Sequence, residues 1–270
     1  AIARFWAQRV NWSDAHEKFV ILGVTGPNEY ENNVNNNYYT NFMAAWCLEY
    51  AAESAQWLAQ EQPNAFAKIA AKILLEEDEL ETWEAIRENL YYPYSDEHQV
   101  YLQQDGFLDK ELIPVKELDP AQRPINQKWS WDRILRSCYI KQADTLQGMF
   151  FFEDRTPLDV LKRHFDFYEP LTVHESSLSP CVHAVLASRL GYTQKAYDLY
   201  LRTARLDLDD YNNEVHQGLH VTAMGGTWMS VVYGFGGMKI VGEDLHFEPC
   251  LPQQWSLLSF HMRWRGALLQ

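Results

Sequence analysis

Cysteine is scarce in this chain, and basic residues are outnumbered by acidic ones. The four cysteines among 270 residues lie far apart and form no Cys-x-x-Cys pair. Zinc sites usually draw on such close pairs, so we expect no metal site. The chain carries 23 Lys and Arg against 37 Asp and Glu, a formal net charge of -14, and no basic block. Because a polyanion is held by a basic surface, we expect no nucleic-acid partner.

Long apolar runs and a signal peptide are also missing. No apolar stretch reaches the about 20 residues that a transmembrane helix takes, so we expect no membrane association. Unpaired cysteines favour a reducing compartment, which predicts a cytoplasmic location. The chain has no initiator Met and stops within the strand-like sequence FHMRWRGALLQ. We therefore expect it to be a fragment of a longer protein.

Helical periodicity dominates the first 235 or so residues. Aromatic residues at Phe42, Trp46, Tyr50 and Trp57 recur on one helical face and predict a helix from about Tyr38 to Ala59. The same pattern predicts helices over residues 64–89, 131–151, 156–167, 178–190 and 194–205, and a short one from Thr227. A long irregular passage, Tyr91 to Pro124, is typical of a functional loop.

The pattern changes after Gly234. Short alternating segments at 238–241, 245–247 and 257–264 are separated by Gly, Pro and Asp and predict strands. The chain should therefore be mainly α over residues 1–236, with a β module beginning at residues 237–270.

The segment Val24 to Asn41, VTGPNEYENNVNNNYYTN, holds two glutamates and seven asparagines. Asparagine amides both donate and accept hydrogen bonds, which suits a hydroxyl-rich ligand such as a sugar. A carboxyl group beside them, Glu29, could protonate a glycosidic oxygen if its pKa were raised. The alternative is an ordinary polar loop in which Asn37 caps the next helix.

A second motif, KQAD, runs from Lys141 to Asp144. A helix through this motif would place Lys141 on a largely apolar stripe. Because an isolated buried ammonium is costly, such a lysine takes an anionic partner or lies at a cavity. The sequence leaves open an anion site or a structural salt bridge, with Asp144 or Glu153 as the partner.

Two further segments carry candidate anion ligands. Gly225-Gly226 before a predicted helix and near His220 could present backbone N–H groups to phosphate. Ser176 and Ser177 precede another predicted helix, where they would cap it or hold an oxyanion. The aspartates at 207, 209 and 210 do not make an EF-hand, because Asn212 occupies the position that requires glycine.

Four motifs together resemble glycoside hydrolase family 65, the inverting phosphorylases of α-linked glucose disaccharides. These are GPNEYENNVNNNYYTN, KQAD, HESSLSPCVHAVLA and DDYNNEVHQGLHVTAMGGTWMSVVYGFGG, which follow the family's order and cover most of the chain. The ENNVNNN and DDYNNEVHQGLHVTAM forms resemble members that act on maltose. Members acting on trehalose or kojibiose tend to carry a GPDEYHE-like variant of the first motif.

The resemblance implies a mainly α fold, the later two-thirds of an (α/α)6 barrel, followed by the start of a small C-terminal β-sheet domain. It implies Glu29 as the general acid and Lys141, Gln142 and His220 as phosphate ligands. Ser176 and Ser177 are further phosphate-binding candidates. The implied partners are a sugar substrate and phosphate as co-substrate, with no metal or organic cofactor and a homodimeric full-length enzyme.

The implied reaction is phosphorolysis of maltose to glucose and β-glucose 1-phosphate, a glycosyl transfer to phosphate. Kojibiose, nigerose or trehalose are alternative substrates within the family. An inverting α-glucan hydrolase would need a second catalytic carboxylate, for which Glu214 is a candidate. A non-catalytic carbohydrate-binding domain would have no use for a Lys-Gln-His anion site.

Overall fold

An asparagine begins the longest helix of the chain. In the computed structural model, which describes residues 1–270, the side-chain oxygen of Asn37 accepts a hydrogen bond from the Thr40 N–H. This N-cap starts helix α2, Tyr38–Glu61, as the periodicity predicts. The predicted aromatic face is not the buried one, since Tyr50 is 59% and Trp57 57% exposed. Smaller residues, Ala44 and Leu48 among them, are buried instead.

The residues form two compact units, of which the first comprises residues 1–26 and 31–109. Its elements are α1 (Ile2–Arg9), β1 (Asn11–Ser13), β2 (Lys18–Val20), α2, α3 (Pro63–Ile73), α4 (Glu79–Glu88), β3 (Tyr94–Ser95) and β4 (Val100–Tyr101). The strands pair as two antiparallel hairpins, β1 with β2 and β3 with β4. One predicted helix is wrong in extent: Leu74 adopts a left-handed conformation that ends α3, so residues 64–89 form two helices.

The second unit comprises residues 27–30 and 110–270. Its helices are α5 (Ile125–Lys128), α6 (Trp131–Leu135), α7 (Thr145–Phe151), α8 (Leu158–Tyr168), α9 (Pro180–Arg189), α10 (Thr193–Ala204), α11 (Leu206–Asp209) and α12 (Val221–Met229). A π-helical turn, Ser230–Phe235, continues α12. Helix α9 is the centre of this unit: every residue from Pro180 to Ser188 is buried, against α10, α12 and the π-helical turn.

The chain ends in two antiparallel hairpins. Strands β5 (Met238–Val241) and β6 (Asp244–Phe247) lie where the sequence predicts them. The third predicted strand is shorter than expected, because only Met262–Trp264 forms β7, which pairs with β8 (Ala267–Leu269). The predicted boundary between residues 236 and 237 stays a prediction. No helix here is both long enough and apolar enough to cross a bilayer.

Candidate active site

One amide side chain ties the Glu29 loop to the KQAD motif within the second unit. The Asn28 side-chain oxygen accepts hydrogen bonds from the backbone N–H groups of Lys141, at 3.0 Å, and Tyr30, at 3.2 Å. The Asn28 backbone N–H in turn donates to Asp144 at 3.1 Å. Asn28 is buried, so these bonds are shielded from water. Two motifs more than a hundred residues apart in sequence therefore form one site.

Glu29 and Lys141 form an ion pair at the surface of this site, with the Lys141 ammonium donating to Glu29 Oε2. The Glu29 side chain is 55% exposed, and that of Lys141 is 21% exposed. The hydrogen bond from Lys141 holds the pKa of Glu29 below its ordinary value, and a weaker contribution comes from Gln142. The partner of Lys141 is thus neither Asp144 nor Glu153, the two that the sequence proposes.

The helical placement of Lys141 is wrong. The predicted helix 131–151 is interrupted, since α6 ends at Leu135 and α7 begins only at Thr145. In between, Ile140 forms a parallel bridge with Thr172, which draws this segment into extended backbone. The Gln142 side chain points back to the Glu29 loop, where its amide nitrogen donates to the Pro27 carbonyl at 2.8 Å.

Tyr30 is anchored by the buried carboxylate of Glu175, a residue that the sequence motifs do not identify as functional. The Tyr30 hydroxyl donates to Glu175 Oε2 at 2.9 Å, and the Ile125 N–H donates to the same oxygen at 2.8 Å. The second oxygen of Glu175 accepts from Arg123 Nε at 3.1 Å. A glutamate directly before two candidate serines was the available signal in the sequence.

His220 is oriented by Asp207, one of the three aspartates of its loop. His220 Nδ1 lies 2.6 Å from Asp207 Oδ1, and its backbone N–H donates to Asp207 Oδ2 at 2.9 Å. This contact lowers the pKa of Asp207. His220 Nε2 lies 3.9 Å from a Glu214 oxygen, beyond hydrogen-bond distance. Nε2 of His220 therefore makes no hydrogen bond within the chain.

The two candidate serines do not cap a helix as predicted. The N-cap position of α9 is Ser179, while Ser176 Oγ accepts from the Leu178 N–H at 3.2 Å and is largely buried. Ser177 Oγ lies 2.9 Å from the hydroxyl of Thr222, in the first turn of the helix that follows His220. Ser177 is thus close to the His220 segment.

The predicted anion site at Gly225-Gly226 is also wrong. Helix α12 begins at Val221, so Gly225 and Gly226 lie inside it and their N–H groups are not at its N-terminus. Gly226 instead permits close packing, because a Cβ there would lie 2.7 Å from the Cys181 Cβ. Gly226 therefore serves the contact between α12 and α9, whereas a Cβ at Gly225 would meet nothing within 4 Å.

The candidate residues fall into two groups. Glu29, Lys141 and Gln142 are in mutual contact, and Ser177 and His220 flank the start of α12. No hydrogen bond or ion pair joins Lys141 to His220. Burial and Glu175 are the main causes that raise the pKa of Tyr30, and the charge of Glu214 makes a smaller contribution. Separately, a cavity of ≈ 740 Å³ is lined by Phe151, Trp228 and Tyr233 among others, and none of the candidate ligand side chains lines it.

The sequence of the chain matches two domains of one protein family. Residues 1–229 match the glycosyl hydrolase family 65 central catalytic domain, and residues 238–270 match the family's C-terminal domain. The chain belongs to glycosyl hydrolase family 65. The predicted family is therefore confirmed.

Relatives of this family 65 chain include several named phosphorylases. It is 52% identical to the maltose phosphorylase of Bacillus subtilis, over 100% of the chain and 35% of that protein. It is 45% identical to the α,α-trehalose phosphorylase of Thermoanaerobacter brockii, over 98% of the chain and 34% of that protein. The chain thus spans about a third of the length of these relatives.

A solved structure of a candidate kojibiose phosphorylase from the human microbiome superimposes with a TM-score of 0.88 at 34% identity. The match covers 98% of this chain and 36% of that one. With the family assignment, this confirms the predicted fold class. The family 65 chain is mainly α, forms part of an (α/α)6 barrel, and ends in small sheets.

Proposed function

We propose that the protein is a disaccharide phosphorylase that transfers a glucosyl unit from maltose to inorganic phosphate. The observation that carries the proposal is the contact between the Glu29 carboxylate and the Lys141 ammonium, with Gln142 alongside. A glycosidic bond is broken by a proton donor, and a phosphate nucleophile is held by a cation. Both groups are available here within one site.

In the proposed reaction, Glu29 gives its proton to the glycosidic oxygen as the C1–O bond breaks. A phosphate oxygen held by Lys141, Gln142 and His220 forms the new bond to C1 from the opposite face. The products are glucose and β-glucose 1-phosphate, with inversion at C1. Inverting hydrolases leave about 6.5–9.5 Å between two carboxyl groups for a water. In a phosphorylase the same space accommodates phosphate.

The ion pair explains how Glu29 would be protonated at the right moment. Without phosphate, Lys141 stabilises the charged form of Glu29 and lowers its pKa. A bound phosphate dianion competes for Lys141 and adds negative charge beside Glu29, and both effects raise the pKa of Glu29. Glu29 would then be protonated, and able to act as the acid, only when phosphate is bound.

Maltose is favoured among the family's disaccharides by the ENNVNNN form of the first motif and by the similarity to the Bacillus subtilis enzyme. Trehalose is the second candidate, because the Thermoanaerobacter brockii trehalose phosphorylase is 45% identical.

A hydrolase would use Glu214 as its base. Glu214 lies 3.9 Å from His220 Nε2, and no hydrogen bond or ion pair joins it to Glu29 or Lys141. We also propose a cytoplasmic homodimer without organic cofactor.

The deciding experiment measures glucose and glucose 1-phosphate from maltose, with and without phosphate, using the protein that carries this chain. We expect cleavage only with phosphate, and equimolar amounts of the two products. Trehalose and kojibiose are assayed in parallel. Equal cleavage without phosphate would point to a hydrolase, and a higher kcat/KM on trehalose would replace maltose as the substrate.

A further inference from the structure

A buried carboxylate outside the proposed catalytic groups joins three segments of the site. Glu175 is 2% exposed. A carboxylate withdrawn from water must be compensated by hydrogen bonds and positive charge. Its three donors are the Arg123 guanidinium, the Ile125 N–H and the Tyr30 hydroxyl. Each oxygen of Glu175 therefore accepts at least one hydrogen bond from within the chain.

One of these donors lies directly beside the proposed proton donor. Tyr30 follows Glu29, and its hydroxyl bond to Glu175 fixes the side-chain end of the residue. Its backbone end is fixed by Asn28, through the Tyr30 N–H. The Tyr30 ring also faces the Lys141 ammonium, with 5.9 Å between Nζ and the ring centroid. Tyr30 is thus in contact with both sides of the Glu29–Lys141 pair.

We propose that Glu175 is a positioning residue that holds Glu29 in register with Lys141 by anchoring Tyr30. The proposal builds on the function proposed above, because it concerns the same site. Exposed Glu29 has only Lys141 and Gln142 as its own side-chain partners. Its backbone position is set by two buried neighbours, Asn28, which bonds to the KQAD motif, and Tyr30, whose hydroxyl is anchored by Glu175. Glu175 also directly precedes Ser176 and Ser177, so one carboxylate fixes the segment carrying these proposed phosphate ligands.

The test removes the Tyr30–Glu175 bond in two ways. Tyr30→Phe deletes only the hydroxyl, and Glu175→Gln removes the charge while keeping the side-chain volume. The control is Tyr192→Phe, which deletes a hydroxyl donating to Asp166 at 2.9 Å on the surface of α8. Both tyrosine variants lose a Tyr–carboxylate bond of equal length. Thermal unfolding of each variant checks that it is folded.

The first readout does not require turnover. The Glu29 carboxyl is titrated by 13C NMR of protein labelled at glutamate, and Glu29→Gln identifies its signal. We expect an upward shift of the Glu29 midpoint in Tyr30→Phe and Glu175→Gln, because Lys141 is no longer held against it. Tyr192→Phe should titrate like the wild type. A wild-type midpoint in folded Tyr30→Phe would overturn the proposal, even if Glu175→Gln fails to fold.

The second readout is kinetic. A displaced catalytic group typically lowers turnover by about 10- to 100-fold, and we expect Tyr30→Phe to lower kcat in this way while its KM for maltose changes little. An unchanged kcat would count against the positioning role. If the wild type has no phosphate-dependent activity, the proposed function fails, whereas the titration still tests whether Glu175 positions Glu29.

Discussion

At the scale of single residues, substitution of Glu29 tests the proposed proton donor directly. Glu29→Gln keeps the shape of the side chain but cannot donate a proton, so turnover on maltose should fall by several orders of magnitude while folding is retained. Turnover and thermal unfolding are measured together. Glu248→Gln is the control, since it removes another Glu–Lys contact, 2.7 Å from Lys239 Nζ, in the β5–β6 hairpin. Near-normal turnover in Glu29→Gln would move the proton donor to Glu31.

Lys141 should control both phosphate affinity and the pH profile. In Lys141→Ala we expect the apparent phosphate KM to rise by about tenfold or more, because a charge-assisted contact is lost. The same change removes the group that lowers the pKa of Glu29. A general acid loses activity as pH rises through its pKa, so the basic limb of kcat/KM should move to higher pH. The control is Lys239→Ala, and an unchanged phosphate KM and basic limb would exclude Lys141 from both roles.

Residue types and spacing were enough to predict the candidates but not their contacts. Glu29 and Lys141 were both singled out, yet their pairing depends on Asn28, whose amide oxygen accepts from a backbone N–H 113 positions away in sequence. Glu175 was missed for the same reason: its donors come from residues 30, 123 and 125, and no local pattern connects them. Polar contacts between residues this far apart in sequence leave no periodic pattern, so the sequence does not predict them.

At the scale of elements, α12 offers a matched pair of glycines. A Cβ at Gly225 would meet nothing within 4 Å, whereas one at Gly226 would meet the Cys181 side chain at 2.7 Å. Gly225→Ala should raise the free energy of unfolding by about 0.5–1 kcal/mol through helix propensity. Gly226→Ala should lower it by about 1–3 kcal/mol through overpacking against α9.

Urea unfolding of both variants measures the difference. Because the two glycines are adjacent in one helix, propensity is matched and only the packing differs. Equal stability changes of the two variants would show that α12 does not press on α9 at Gly226. A destabilised Gly225→Ala would instead indicate a contact on the exposed side of the helix.

Helix existence followed well from the sequence, and helix ends did not. The helix predicted over residues 38–59 is α2, and Asn37 caps it, but its buried face carries Ala44 and Leu48 and not the predicted aromatic repeat. The predicted helix over 131–151 contains an extended segment, since the Ile140–Thr172 bridge outweighs the local pattern there. The start of α12 was misplaced because two glycines in succession are typical of loops, and only the tertiary packing of Gly226 against Cys181 explains one of them in a helix.

At the scale of the whole molecule, buried histidines predict acid sensitivity. Burial lowers the pKa of His164 and of His183 to about 4 each. In the unfolded chain the pKa is about 6.5, so the unfolded state binds protons first as pH falls. Stability is fully present above about pH 6.5 and is lost as pH falls towards 4, by at most about 3 kcal/mol per histidine.

This loss is measured by urea unfolding between pH 7 and pH 4. His164→Gln removes one titrating group, so its stability should depend less steeply on pH than that of the wild type. Several carboxylates with a lowered pKa, Asp207 and Glu79 among them, contribute in the same direction. A variant with the full wild-type slope would exclude His164 as a source of the acid sensitivity and leave it to His183 and these carboxylates.

The two hydrogen bonds that Asn28 accepts use only its side-chain oxygen. An aspartate, as in the GPDEY form of the motif, would keep acceptor oxygens for this pair. It would, however, place a further negative charge next to Glu29. In an Asn28→Asp variant this charge should raise the pKa of the proposed proton donor, so residue 28 bears on the pH profile of the reaction as well as on the loop that carries Glu29.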